Sequence, residues 1–100
     1  MVTLINEFTV TGDVAEFERV LAEFNAYMSA LPGARGYRLL RSTRRPNIVV
    51  ELADWDSSEA HQAAVQSPGF IPLVTRLRPL VAKGMPDLYE TVREQDLVSK

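Results

Sequence analysis

The chain of 100 residues has no cysteine, which excludes a disulfide framework, a thiolate nucleophile and any Cys-based metal site. It has a single histidine, His61, and one imidazole cannot build the usual zinc constellations. No apolar run approaches the roughly 18 residues of a membrane span, and the N-terminus lacks a basic stretch leading into a long apolar core. An excess of positive charge is missing too. Eleven basic against 13 acidic residues leave a net charge of −2, so neither nucleic acid nor an anionic membrane is expected as the main partner. There is no glycine-rich phosphate loop, dinucleotide fingerprint or acidic metal cluster, so no flavin, nicotinamide or metal cofactor is expected. What remains is ordinary. Hydrophobic residues make up 46% and charged residues 24%, values that exclude disorder, a collagen-like fibre and a coiled-coil rod. The length suits one compact domain, or half of a small obligate dimer, and the chain reads as a cytoplasmic protein.

Thr3 to Val10 carries β-branched residues at Thr3, Ile5, Thr9 and Val10 and predicts a strand, broken by Gly12. Asp13 then stands three residues before Glu16, the spacing of a capping box. Behind it Val14, Phe17, Leu21, Phe24, Met28 and Leu31 draw one apolar stripe down a helix of about five turns. Pro32 and Gly33 end that helix. Tyr37 to Ser42 and Asn47 to Trp55 read as two more strands, joined into an antiparallel hairpin by Thr43-Arg44-Arg45-Pro46. Asp56 and Glu59 repeat the capping-box spacing ahead of a helix reaching about Gln66. After the turn Ser67-Pro68-Gly69, a short helix runs through Leu73, Val74 and Leu77 to Pro79. Met85 to Val92 reads as a fourth strand. The predicted order is β-α-β-β-α-β, a ferredoxin-like α+β fold with an antiparallel four-stranded sheet. It fills a single domain, 1–92, followed by a polar tail, 93–100.

In the third strand Val49, Ala53 and Trp55 alternate with Ile48, Val50 and Leu52, so both of its faces are apolar. A half-exposed antiparallel strand would show polar residues on one side. Helices cover one face of such a sheet. A second copy of the chain packed sheet to sheet is the expected cover for the other.

Val50-Glu51-Leu52-Ala53-Asp54-Trp55-Asp56-Ser57-Ser58-Glu59-Ala60-His61, followed by Ser67-Pro68-Gly69-Phe70, resembles the signature of the antibiotic biosynthesis monooxygenase superfamily. There a third strand ends in Trp, feeds a capped helix, and is followed by a Ser-Pro-x-Phe turn. The resemblance spans roughly residues 3 to 92 and implies a dimeric α+β barrel. Its members include quinone-forming polyketide oxygenases, haem-degrading oxygenases and quinol oxygenases, and polyketide cyclases share the barrel. The haem-degrading branch resembles this chain at Asn6, but where it carries a second Trp and the haem-ligating His, this chain has Ala64 and Val74. Haem degradation is therefore not expected, because haem would lack its axial ligand. The actinorhodin-type oxygenases, which oxidise anthrones to anthraquinones, place an Asn four residues before the strand-ending Trp and a Tyr in the next helix. Here those positions hold Glu51 and His61.

Glu51 and Trp55 lie two pleats apart and face the same way. A carboxylate buried in that strand has its pKa raised and suits a general base for a phenolic or activated C–H proton. The plainer reading pairs it with an arginine across the sheet or the dimer interface. His61 suits a proton shuttle or a hydrogen bond to a phenol, or else is a half-buried helix residue. Trp55 is core or, as the resemblance implies, a pocket wall that stacks on a flat polycyclic substrate. Asn6, between Leu4 and Phe8 on one strand face, must find a partner in backbone, water, a substrate carbonyl or an oxygen adduct. The expected catalytic set is Glu51, Trp55 and His61, and the expected substrate-binding set Asn6, Phe8, Tyr37 and Phe70. Arg35, Arg38, Arg41, Arg44 and Arg45 read first as a solvated hairpin with dimer salt bridges, the alternative being that Arg38 and its neighbours bind an anionic carboxylate or phosphate. Without a cofactor, an oxygenase needs a substrate that itself supplies electrons to dioxygen, as deprotonated phenols and anthrones do. Three readings stand: cofactor-independent oxygenation of an aromatic polyketide or related phenolic or quinol intermediate, a cyclase-like catalyst using the same base, and a non-enzymatic small-molecule-binding dimer.

Overall fold

Asp13 and the apolar stripe behind it launch the first helix, and the β-branched segments around it pair into one sheet. The computed structural model describes residues 1–97. Along the chain run β1 (Val2–Val10), α1 (Val14–Ser29), β2 (Ala34–Arg41), β3 (Ile48–Trp55), α2 (Ser58–Val65), α3 (Phe70–Leu77), a 3-10 turn (Arg78–Leu80) and β4 (Val81–Glu90). The strands are antiparallel neighbours in the order β2-β3-β1-β4. This is the expected ferredoxin-like α+β arrangement, with its second helix in two pieces. The last three residues of the expected tail lie outside the described residues. Among the described residues, no helix is long and apolar enough to cross a membrane.

The stripe of α1 packs on the sheet. Phe17, Leu21 and Val49 are fully buried, and the Phe17 ring meets Phe8 of β1 edge-on at 5.1 Å. Burying each such side chain contributes roughly 1.5–3 kcal/mol. The register shows which strand residues share that face. Phe8 stands opposite Val49, Asn6 opposite Glu51, Leu4 opposite Ala53 and Val2 opposite Trp55, and these point toward the helices. The alternate residues, Ile5 opposite Leu52 and Glu7 opposite Val50, point to the other face, joined there by Leu40 of β2 and Met85 of β4. Leu40 and Met85 are about half exposed.

Several boundaries and caps depart from the sequence reading. The first helix stops at Ser29 rather than Leu31, with Ala30 as its cap. Gly33 follows with φ 88°, a left-handed conformation open to glycine. A Cβ on Gly33 would also lie 2.5 Å from Ala60. The second strand begins at Ala34 rather than Tyr37, because an irregularity between Ala34 and Gly36 lets it pair earlier with Trp55. The fourth strand runs from Val81 to Glu90 rather than Met85 to Val92. Gly84 and Pro86 do not break it, since β4 is an edge strand and tolerates a residue without an N–H. Neither capping box closes. Asp13 caps α1 by accepting from the Ala15 N–H, while Glu16 pairs with Arg19. For α2 the cap is Ser57, not Asp56: its hydroxyl accepts from the Ala60 N–H at 3.1 Å, and Asp56 instead holds Arg35 at 2.8 Å.

Candidate active site

Between the inner sheet face and the three helices lies a cavity of about 280 Å³, at the small end of ligand cavities, which start near about 300 Å³. All seven residues singled out from the sequence line it: Asn6, Phe8, Tyr37, Glu51, Trp55, His61 and Phe70. β1 and β3 supply the polar floor. Asn6 and Glu51 are directly opposed across that strand pair, which sets their Cβ atoms about 5 Å apart. Trp55 comes two pleats further along β3 on the same face. The remaining wall is mostly apolar, including Phe24 and Met28 of α1 and Val74 of α3.

Glu51 is 2% exposed. Burial, which penalises the charged form, pushes its pKa from 4.5 up to about 7, while a hydrogen bond with Asn25 pulls the other way. No arginine or lysine pairs with it among the described residues. Two further polar atoms at the cavity, Asn6 Oδ1 and Trp55 Nε1, are buried with no hydrogen-bond partner among the described residues. A buried polar atom left wholly unpaired costs about 1–3 kcal/mol, so both atoms call for a partner from ordered water or a bound ligand. The His61 ring stands edge-on to Trp55 at 5.7 Å. Burial lowers the His61 pKa, which favours the neutral imidazole at pH 7.

Asn25 was not among the expected site residues. It is 4% exposed and lines the cavity beside Glu51. Its signal was present in the sequence: it stands four residues after Leu21, a polar residue on the apolar stripe. Tyr27 was missed as well. Its hydroxyl donates to Ser67 Oγ at 2.8 Å and accepts from the Gly69 N–H at 3.0 Å. That clamp fixes the turn before α3, and with it Phe70, whose ring meets Phe24 edge-on at 5.8 Å. Ala64, the position of the second Trp in haem-degrading relatives, is buried in the core, and Val74 offers no ligand atom to the cavity. The arginines of the hairpin region reach outward: Arg35 pairs with Asp56, and Arg41 with Glu18 of α1. No group of three or more His, Cys, Asp or Glu side chains able to hold a metal ion converges among the described residues.

The family pattern described as antibiotic biosynthesis monooxygenase matches residues 1–74. Deoxynogalonate monooxygenase of Streptomyces nogalater is 42% identical over 79 residues, which are 79% of this chain and 67% of that protein. The crystal structure of SnoaB, a cofactor-independent oxygenase from Streptomyces nogalater, is similar at a TM-score of 0.88 and 38% identity over 94% of each chain. A conserved protein of Methanosarcina mazei shares the fold at a TM-score of 0.81 and 17% identity, over 88% of this chain and 89% of its own.

Proposed function

The chain belongs to the antibiotic biosynthesis monooxygenase family, and we propose that it oxygenates an aromatic polyketide or related phenolic or quinol intermediate without a cofactor. The observation that carries this reading is Glu51, a buried carboxyl with no cationic partner among the described residues, set in an apolar cavity beside two unpartnered polar atoms. A base poised near neutral pH is what proton abstraction from a weakly acidic carbon requires. The 42% identity to a protein named as a monooxygenase supports oxygenation over cyclisation.

In the proposed reaction the Glu51 carboxylate takes one proton from a CH2 flanked by hydroxylated rings. The electron pair left behind spreads onto the substrate oxygen, where the Trp55 N–H donates to the developing oxyanion. The carbanion passes one electron to dioxygen. The resulting radical and superoxide join in a C–O bond, and Glu51 returns its proton to the distal oxygen, giving a hydroperoxide. Removal of the second C–H proton by Glu51 then forms the carbonyl as the O–O bond breaks. The departing hydroxide takes that proton and leaves as water. One CH2 and one O2 become one C=O and one H2O, and Glu51 is regenerated as a carboxylate. Asn6 Oδ1 accepts from a substrate hydroxyl, neutral His61 hydrogen-bonds a second one, and Phe8, Tyr37 and Phe70 hold the flat rings in a cavity dry enough to strengthen these contacts.

The functional unit in this proposal is a homodimer joined through the outer sheet face, where Ile5, Leu40, Val50, Leu52 and Met85 form the apolar surface. The absence of cysteine agrees with a cytoplasmic setting. Oxygen uptake with a model anthrone tests the activity, with one O2 consumed per anthraquinone formed and no added cofactor. Ring closure of a polyketide without oxygen uptake would hand the site to a cyclase.

A further inference from the structure

On the sheet face turned away from the helices, the register sets Arg38 of β2, Leu52 of β3, Ile5 of β1 and Asp87 of β4 side by side in one row. That row runs from an exposed cation on one edge, over two apolar side chains, to an exposed anion on the other. Arg38 and Asp87 lie three strand spacings apart in the order β2-β3-β1-β4, about 14 Å, so they cannot pair within one chain. Among the described residues neither has an ionic partner, and Asp87 accepts from the N–H of its own neighbour Leu88. The acidic residues elsewhere on this face have neighbours to hold them. Asp54 accepts from Thr3 Oγ1 at 2.6 Å. Glu7, opposite Met85, is diagonal to Lys83, within reach of that long side chain. The flanking rows start at Gly36 and Leu40 on β2 and finish at Tyr89 and Met85 on β4.

A two-fold dimer packed through this face can place its axis along the strands or across them. With the axis across, each strand lies over its own counterpart, and Arg38 meets only β2, which holds no acidic residue. With the axis along the strands, β2 of one copy lies over β4 of the other. We infer, resting on the homodimer reading, that a second copy of this chain takes the latter arrangement, with Arg38 of each copy paired to the partner's Asp87. Aligned sheets stand about 10 Å apart, a gap that an arginine and an aspartate cross together. The same placement lays Leu52 over the partner's Ile5 and Leu40 over the partner's Met85. It also lays the half-exposed Tyr89 over the partner's Gly36, where no side chain stands and a Cβ meets nothing within 4 Å. The ion pair forms twice, once at each edge of the interface, where opposite charges fix the register and exclude the other orientation.

The test is sedimentation equilibrium at low ionic strength on the full chain carrying Arg38→Asp, Asp87→Arg, or both. Each single substitution sets like charges together at both edges and should weaken self-association about tenfold or more. The double substitution exchanges the partners and should restore association to near the native value. Mixing the two single variants should give a heterodimer as tight as the native dimer, because both of its contacts then join opposite charges. That heterodimer also shows that each variant is folded. Added salt should shrink the differences between the variants. A native chain that stays a monomer at micromolar concentration strikes the homodimer reading and this arrangement together. Three results overturn the arrangement alone and leave a native homodimer standing. They are single variants that associate as tightly as the native chain, a double variant no tighter than the singles, and mixed singles that form no heterodimer.

Discussion

Glu51→Gln keeps the shape of the side chain and deletes its titration, so it isolates the cost of an ionised carboxyl in the cavity. Glu51 holds its proton more tightly in the folded chain than the unfolded chain does, with a pKa moved from 4.5 to about 7. Folding therefore binds a proton between those values, and stability falls as pH rises through that window. Below about pH 4.5 both states carry the proton and no cost arises. Above about pH 7 the full cost is present, about 3 kcal/mol, against a total stability of about 5–15 kcal/mol for an ordinary domain. The assay is urea unfolding of both proteins at matched concentration from about pH 4.5 to about pH 8.5. The other carboxylates cancel in the difference. The Gln variant should match the native chain near pH 4.5 and become progressively more stable, gaining up to about 3 kcal/mol by pH 8. In parallel, kcat/KM of the native enzyme should rise through a pKa near 7, and the Gln variant should lose that limb together with turnover. A stability difference independent of pH, or a Gln variant less stable at pH 8, would refute the reasoning.

Asn25→Leu removes the hydrogen bond that draws the Glu51 pKa down, so the rising limb of the pH–rate profile should move to higher pH. Trp55→Phe keeps an aromatic wall but deletes an N–H that has no partner among the described residues. It should lower kcat by about 10²-fold with little change in urea midpoint, whereas Trp55→Ala should lose about 3–5 kcal/mol of stability. A Cβ on Gly69 would lie 2.5 Å from the Tyr27 ring, so Gly69→Ala should cost about 1–3 kcal/mol and raise KM by displacing Phe70, read from unfolding and steady-state kinetics. Sedimentation should give two chains per particle at micromolar concentration, and Leu40→Asp on the outer sheet face should return it to one.

The elements legible in the sequence are those whose pattern is local. The α1 stripe and the strand ending in Trp55 carry their own periodicity, and alternation alone put Glu51 and Trp55 on one face. Errors arose where a distant partner decided the outcome. Asp56 and Ser57 are both good caps, and Arg35, brought there by the sheet, draws Asp56 away. The fourth strand begins at Val81 rather than Met85 because β1, far away in sequence, pairs with it from Val81 onward. Asn25 was visible as a polar residue in an apolar stripe, but its partner Glu51 comes from the second strand of the hairpin, 26 residues further along the chain. The Tyr27 clamp likewise depends on a hydroxyl meeting a turn far along the chain, and no spacing rule encodes that.

The remaining question is why this chain keeps a carboxyl where the quinone-forming relatives are expected to carry an amide. The plainer reading, an acid held by an arginine, has its candidate close by. Leu39 of β2 stands opposite Glu51, and Arg41 follows two residues later on the same face. Yet Arg41 turns to Glu18 at the surface, and Glu51 is left with the neutral amide of Asn25. The difference in chemistry is large. A guanidinium partner favours the charged form and drives a carboxyl pKa below its usual range, making a poor base near pH 7. An amide satisfies part of the hydrogen bonding and leaves desolvation in control. A structural acid gains nothing from that choice, because the ionised form then costs about 3 kcal/mol above neutral pH. The unpartnered Asn6 and Trp55 atoms add penalties of the same kind in the same cavity. Local costs that converge on one small volume are the grounds on which Glu51 is proposed as a base.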